Sequence, residues 1–183
     1  MADENAVDFV KGLIADGKKV GVFSCEDPYN TPFHRDLLHA SQGYLHLITK
    51  AGGIVLQDSV DLGLQAKGIN AWGVFGHYGN VHGHDVCAAI RMLGSGYDNA
   101  GPHFKKHMDY LGKNFRYNQS ISLEENIVEW VKRQYEFLCK IIPQKQQTIS
   151  GAVQGNIIIF GGIVYNSEDG KAYTANVLFR NTV

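Results

Sequence analysis

Strand-like and helix-like segments alternate along most of this chain, and this alternation restricts the fold more than any other feature of the sequence. Short apolar runs rich in β-branched residues, at 19–24, 44–49 and 69–80, are separated by segments with apolar residues at helical spacing. Such alternation is typical of βαβ units. We therefore predict an α/β fold with a mostly parallel central sheet flanked by helices.

Two segments near the C-terminus complete this prediction. The segment 122–141 is the clearest helix, because Ser122 and Glu125 have the spacing of a capping box and apolar residues follow at helical spacing. The segment 156–179 indicates two strands around an Asp-Gly turn. We therefore expect the sheet to include a C-terminal strand pair.

Length and charge limit the domain organisation and the partners. A chain of 183 residues with 44% hydrophobic content is long enough for one buried core, so residues 1–183 are treated as a single domain. The net charge of -1 indicates no basic surface for nucleic acid or an anionic membrane. No apolar run approaches the ~18 residues of a membrane span, and the acidic start is unlike a signal peptide.

The three cysteines, Cys25, Cys87 and Cys139, are an odd number that does not suit a disulfide framework. A reducing compartment fits better, so we expect a cytoplasmic protein whose thiols are free or bound to metal. Cys139 lies on the apolar face of the predicted helix 122–141 and is assigned to the core.

Chemically reactive side chains stand near the ends of two predicted strands. Cys25 and Asp27 follow the strand 19–24, and His77 lies near the end of the strand 69–80. Because the carboxyl ends of parallel strands lie at one edge of a sheet, we expect these side chains to meet there. Thiolate and imidazole bind zinc, and Asp27 is either a further ligand or a general base.

Several short motifs, taken in their order along the chain, resemble those of the β-class carbonic anhydrases, over about residues 21–173. That family places Cys-x-Asp-x-Arg after its first strand, and CEDPY (25–29) is similar. Its Asn-Ala-Gly-Gly-like motif is matched by KAGG (50–53), and its Gly-His-x-x-Cys-Gly motif is matched in part by GHYG (76–79). The long helix and the final strand pair are also similar.

The resemblance implies a zinc-dependent lyase that reversibly hydrates carbon dioxide to bicarbonate, or acts on a related small electrophile, through zinc-bound hydroxide. In the family, one zinc ion is held by the Cys of the first motif and by the His and Cys of the last. That pattern implies Cys25 and His77 as ligands here. The family also forms dimers, which implies a homodimer or a higher homo-oligomer.

The first departure from the family pattern is Tyr29, which stands where the family has the Arg of an Asp-Arg dyad. Without that Arg, Asp27 is free to bind zinc, and four protein ligands make a closed, structural site. The prolines of DPYNTPF indicate an irregular segment over 27–33, and Arg35, close to that segment, is a candidate to replace the missing guanidinium. We therefore list Asp27 and Arg35 as the candidate catalytic residues.

The second departure is Asn80 at the expected third ligand, since an amide is a poor zinc ligand beside thiolate and imidazole. Two alternative ligand sets, called repairs here because each supplies the missing third ligand, are open. If 80–86 is an insertion, Cys87 joins Cys25 and His77; alternatively, His84 and Cys87 provide the ligands from one turn of a helix predicted from about His84. We favour His77, because GHYG stands at a strand end, and Cys87 serves in both repairs.

Three hypotheses about function remain open. The first is a divergent zinc lyase with an open metal site. The second is a non-catalytic binding or assembly protein on the same fold, with a closed or absent metal site. The third is a thiol-based redox or small-ligand protein that uses Cys25 without metal. Each cysteine also has a purely structural explanation, because a buried Cys packs as a small hydrophobic residue.

Overall fold

The computed structural model describes residues 4–41, 43–99 and 101–183, apart from the side chain of His103. Its helices and strands are, in chain order, β1 (Glu4–Asn5), α1 (Ala6–Ala15), β2 (Val20–Ser24), α2 (Thr31–Ser41), β3 (Leu45–Thr49), α3 (Gln57–Leu62), β4 (Ala71–Val81), β5 (His84–Val86), α4 (Ala88–Ser95), α5 (Pro102–Asn114), α6 (Leu123–Thr148), β6 (Ile158–Asn166) and β7 (Tyr173–Thr182).

The strands form one seven-stranded sheet in the order β1-β7-β6-β4-β2-β3, with β5 paired to β4. The four strands β3, β2, β4 and β6 run parallel to one another. β7 and β1 are antiparallel additions at one edge. The predicted α/β fold, with a mostly parallel sheet and a C-terminal strand pair, is confirmed.

Helices cover both faces of the sheet and divide the core into two layers. Neighbouring residues of a strand point to opposite faces, so Val22 packs with the α1 and α2 side while Phe23 packs with the α4, α5 and α6 side. α6 lies across β4 and β6. Its capping box is present as predicted, since the Glu125 amide donates to Ser122 Oγ and the Ser122 amide donates to Glu125 Oε2.

The predicted start of the helix near His84 is wrong, because the helix begins only at Ala88. β4 continues to Val81, and the chain then reverses through His82 and Gly83, whose φ values are 51° and 80°. Positive φ at both residues is the geometry of a two-residue type I′ hairpin, which returns the chain as β5. The helix α4 begins only after Cys87.

The irregular segment expected over 27–33 is shorter than predicted. A short 3₁₀ turn covers Pro28–Asn30, and α2 begins at Thr31 with Pro32 in its first turn. Proline is tolerated there because the first helical amides have no partner within the helix. Among the described residues, every helix is too short or too polar to span a lipid bilayer.

Candidate metal centre

Three side chains that can bind a metal meet at the carboxyl ends of β2 and β4. The ligand atoms of Cys25, His77 and Cys87 all lie within 4.8 Å of one another. The two sulfur atoms are 3.5 Å apart, and all three residues are buried. We call these three residues the metal cluster.

The sheet register and one hairpin bring the metal cluster together. β2 and β4 are parallel with Ser24 opposite Phe75, so Cys25 and His77 emerge at the same edge. Cys87 arrives differently, because the hairpin pairs Gly79 with Val86 and returns the chain to the end of β4. A segment that was treated as an insertion therefore delivers the second thiol.

The 3₁₀ turn at Ala51–Gly53 supports Cys25. The amide of Gly52 donates to Cys25 Sγ over 3.2 Å. A side chain at Gly53 would place its Cβ 2.9 Å from the carbonyl oxygen of Phe75 and 3.3 Å from the amide nitrogen of Cys25. The glycines of KAGG thus allow the backbone to approach the site closely.

The two thiols differ in acidity. The hydrogen bond from the Cys87 thiol holds the pKa of Cys25 well below its usual range in spite of burial, and His77 adds to this effect. The same hydrogen bond, together with burial, raises the pKa of Cys87. Burial by itself would lower the pKa of His77, but contact with Cys25 and the charge of Asp27 outweigh it and raise that pKa. Cys25 is therefore the more acidic of the two thiols, and the thiolate is the form that binds metals.

Asp27 lies at the edge of the metal cluster. Its Oδ2 is 3.7 Å from His77 Nε2 and accepts a long hydrogen bond of 3.5 Å from the amide of Ala88. Its Oδ1 accepts from the amide of Tyr29 over 3.2 Å. Backbone amides thus hold both oxygens of this carboxylate beside the cluster.

Arg35 and His84 do not join the metal cluster. Arg35 lies on the face of α2 opposite the buried Phe33 and Leu37, and its Nε donates to Asp36 over 3.1 Å. The expected replacement guanidinium therefore points to solvent. His84 is exposed on β5, because the helical turn that was to pair it with Cys87 does not form.

Tyr29 and Asn80 have structural partners of their own. The Tyr29 ring packs against the turn between β6 and β7, 3.0 Å from the position that a Cβ on Gly170 would take. Asn80 is exposed, and its Nδ2 donates to Asp85 Oδ1 over 3.0 Å across the hairpin. Neither residue supplies a group to the cluster.

The sequence patterns did not single out Asn166, the last residue of β6. Its Oδ1 is 3.1 Å from His77 Nδ1, and its Nδ2 donates to the carbonyl oxygen of Tyr29 over 2.7 Å. β6 is the parallel neighbour of β4. A polar residue at its carboxyl end was therefore as good a site candidate as His77 itself.

The metal cluster fits zinc. His77 Nε2 is buried and has no hydrogen-bond partner among the described residues, so the site leaves a ligand atom available. In a tetrahedral zinc site with Zn–S bonds of about 2.3 Å, two sulfur atoms lie ~3.8 Å apart, close to the 3.5 Å between Cys25 Sγ and Cys87 Sγ. Two thiolates and one imidazole are also ligands that zinc prefers.

A second polar group, which includes the partly buried His34, lies around Ser24. His34 Nε2 is 3.0 Å from Ser24 Oγ and 3.1 Å from Asn30 Nδ2, and Asn30 Nδ2 also donates to Ser24 Oγ over 2.8 Å. Burial lowers the pKa of His34 from 6.5 to about 4. The imidazole is therefore neutral at pH 7 and accepts hydrogen bonds through Nε2.

This neutral His34 predicts that the metal-free protein loses stability in acid. Between pH 6.5 and about 4, the unfolded chain binds a proton on this imidazole that the folded chain does not bind. The free energy of unfolding therefore falls as pH drops through that window. Urea unfolding with a chelator present measures it, and we expect a flatter pH profile for His34→Gln. The exposed control His39→Gln keeps the wild-type profile, and an unchanged His34→Gln profile would contradict the prediction.

Comparison of the sequence with protein-family models and with curated proteins gives no match. Among solved structures, PtLCIB4, a homolog of the limiting CO2-inducible protein LCIB, is 17% identical with a TM-score of 0.66, over 97% of this chain and 91% of that one. LCIB is 13% identical with a TM-score of 0.63, over 99% and 90%. A β-carbonic anhydrase of Trichomonas vaginalis is 14% identical with a TM-score of 0.47, over 95% and 98%.

At such low identities the comparison shows the fold alone, and this conclusion rests on the LCIB structures. They share the α/β arrangement over nearly the whole chain. The expected fold-level resemblance is confirmed. The chain therefore has the fold of LCIB and its homologs.

Proposed function

We propose that Cys25, His77 and Cys87 bind one zinc ion and that the protein reversibly hydrates carbon dioxide to bicarbonate. The observation that carries this proposal is the convergence of two buried thiols with a buried imidazole nitrogen that has no hydrogen-bond partner in the described part of the chain. The proteins that share the fold are named for induction by limiting CO2. That name agrees with a role in carbon dioxide chemistry.

The chemistry needs an open metal position and a base beside it. Zinc held by three protein ligands lowers the pKa of water from 15.7 to about 7 and so supplies a nucleophile at neutral pH. In our proposal Asp27 orients that nucleophile or accepts its proton. Support comes from the amides of Tyr29 and Ala88, which hold the carboxylate at the edge of the cluster.

A second candidate function is a closed, non-catalytic zinc site. In the described ranges, no arginine contacts Asp27, and its Oδ2 is only 3.7 Å from His77 Nε2. If Asp27 is the fourth ligand, no position is left for water and the metal is structural. The same carboxylate therefore distinguishes the two functions.

The variant Asp27→Asn distinguishes the catalytic zinc site from the closed, structural one. With Asp27 as a base, we expect this variant to keep its zinc and to lose about 10²-fold or more in the rate of carbon dioxide hydration. Stopped-flow measurement with a pH indicator gives the rate, and zinc content is measured on the same samples. The wild-type rate is expected to rise with pH as the nucleophile ionises.

The matched control is Asp85→Asn, because Asp85 is an exposed residue of the hairpin that contacts Asn80 and not the cluster. It should leave the rate unchanged. A rate that appears only in Asp27→Asn would identify the closed site. Zinc-loaded wild type without turnover at any pH would refute the catalytic proposal. The homodimer implied by the resemblance and the cytoplasmic location expected from the cysteines stay predictions.

A further inference from the structure

Asn166 occupies a position that touches two parts of the metal centre at once. It is 9% exposed and lies at the end of β6, where Tyr165 is the register partner of Tyr78 on β4. The backbone of Gly79 lies so close that an added Cβ would be 2.7 Å from the carbonyl oxygen of Asn166. The second glycine of GHYG thus allows Asn166 to sit against the strand that carries His77.

The hydrogen bonds assign the orientation of the Asn166 amide. The carbonyl oxygen of Tyr29 can only accept, so the NH2 group of Asn166 must face it, at 2.7 Å. The amide oxygen consequently faces His77 Nδ1, at 3.1 Å. An amide oxygen also only accepts, so Nδ1 of His77 must carry a proton.

A proton on Nδ1 has a direct consequence for the metal cluster. In the neutral ring, only one nitrogen carries hydrogen, so Nε2 is left with its lone pair. One ring nitrogen of His77 lies within 4.8 Å of both sulfur atoms. Because Nδ1 is bonded to Asn166 and Nε2 has no hydrogen-bond partner among the described residues, Nε2 is the nitrogen that is free to bind a metal. The ring therefore presents its acceptor nitrogen to the place where a metal would bind.

We infer that Asn166 is a positioning residue of the metal centre: it selects the His77 tautomer that can bind metal and ties that ring to the turn that carries Asp27. The effect on metal affinity rests on the proposed zinc function, whereas the tautomer does not. Partners of this kind typically change metal affinity by about 10- to 100-fold.

Two substitutions separate the contact with His77 from the contact with Tyr29. Asn166→Asp keeps an oxygen that accepts from His77 Nδ1 but loses the donor to Tyr29. Asn166→Leu is of similar size and loses both contacts. Zinc affinity is measured by competition with a chelator of known affinity.

We expect Asn166→Leu to bind zinc about 10- to 100-fold more weakly, and Asn166→Asp to bind it nearly as tightly as wild type. An equal loss in both variants would mean that Asn166 acts only through the Tyr29 turn. Wild-type affinity in Asn166→Leu would show that it has no role. Either result overturns the inference.

The tautomer is read directly from the ¹⁵N chemical shifts of His77 in metal-free wild type, at a pH where the ring is neutral. We expect the proton on Nδ1, and in Asn166→Leu a mixture of both tautomers. A proton on Nε2 in wild type would overturn the inference whether or not zinc binds. If wild type binds no zinc but has the Nδ1–H form, the proposed function fails and the tautomer assignment stands.

Discussion

Replacing either Cys25 or Cys87 with serine is expected to abolish zinc binding. The wild-type protein should carry about one zinc per chain after expression with added metal. A serine hydroxyl in place of a buried thiolate removes one of three converging ligands, and the two that remain do not make a stable zinc site. Metal content measured by plasma mass spectrometry should fall from about one to near zero in both variants.

Cys139→Ser is the matched control. Cys139 is half-buried on α6, outside the metal cluster, so its variant should keep the wild-type zinc content. Zinc that persists in Cys25→Ser or Cys87→Ser would contradict the ligand set. Wild-type protein without zinc would leave the fold without the proposed metal chemistry.

Gly53→Ala is expected to be the most destabilising small substitution near the site. Gly53 has a φ of 66°, and its new Cβ would meet the Phe75 carbonyl oxygen at 2.9 Å. The left-handed conformation costs an alanine roughly 1–2 kcal/mol, and the close backbone contact costs roughly 1–3 more. We expect the free energy of unfolding to fall by about 3 kcal/mol in chelator.

Gly17→Ala separates the two costs. Gly17 has a similar φ of 77°, but no heavy atom lies within 4 Å of its added Cβ. Only the conformational cost of roughly 1–2 kcal/mol should appear there. Denaturant unfolding of both variants measures the difference, and equal losses would show that Phe75 and Cys25 yield to the new methyl group.

Local patterns predicted most of the fold because each pattern depends on residues that are close together in the chain. The capping box at Ser122 and the Asp-Gly signal between β6 and β7 depend on contacts a few residues apart, and both segments form as expected. The segment 84–87 was predicted wrongly as the start of a helix. His-Gly is an uncommon sequence for a type I′ turn, and the apolar spacing of the following helix extends back over it.

The residues of the candidate site likewise divide into those that local patterns could predict and those that they could not. Cys25 and His77 were predictable, because each lies near the end of a recognisable strand and parallel strands end at one edge. Cys87 was expected in both repairs, and the open choice lay between His77 and His84. The hairpin decides it, because it brings Cys87 beside Cys25 and His77 and leaves His84 exposed. Arg35 could not be placed from spacing, since its direction depends on which face of α2 is buried.

By itself, the sequence determined the α/β class, the strand that precedes Cys25, the strand that contains His77, and the chemistry of those two side chains. These properties follow from periodicity and residue type, which are local. The tertiary structure decided that Cys87 completes the cluster, that His84 and Arg35 stay outside it, and that Asn166 faces His77 across 89 residues of chain. Such contacts depend on register and on the burial of side chains from distant segments, which no single segment specifies.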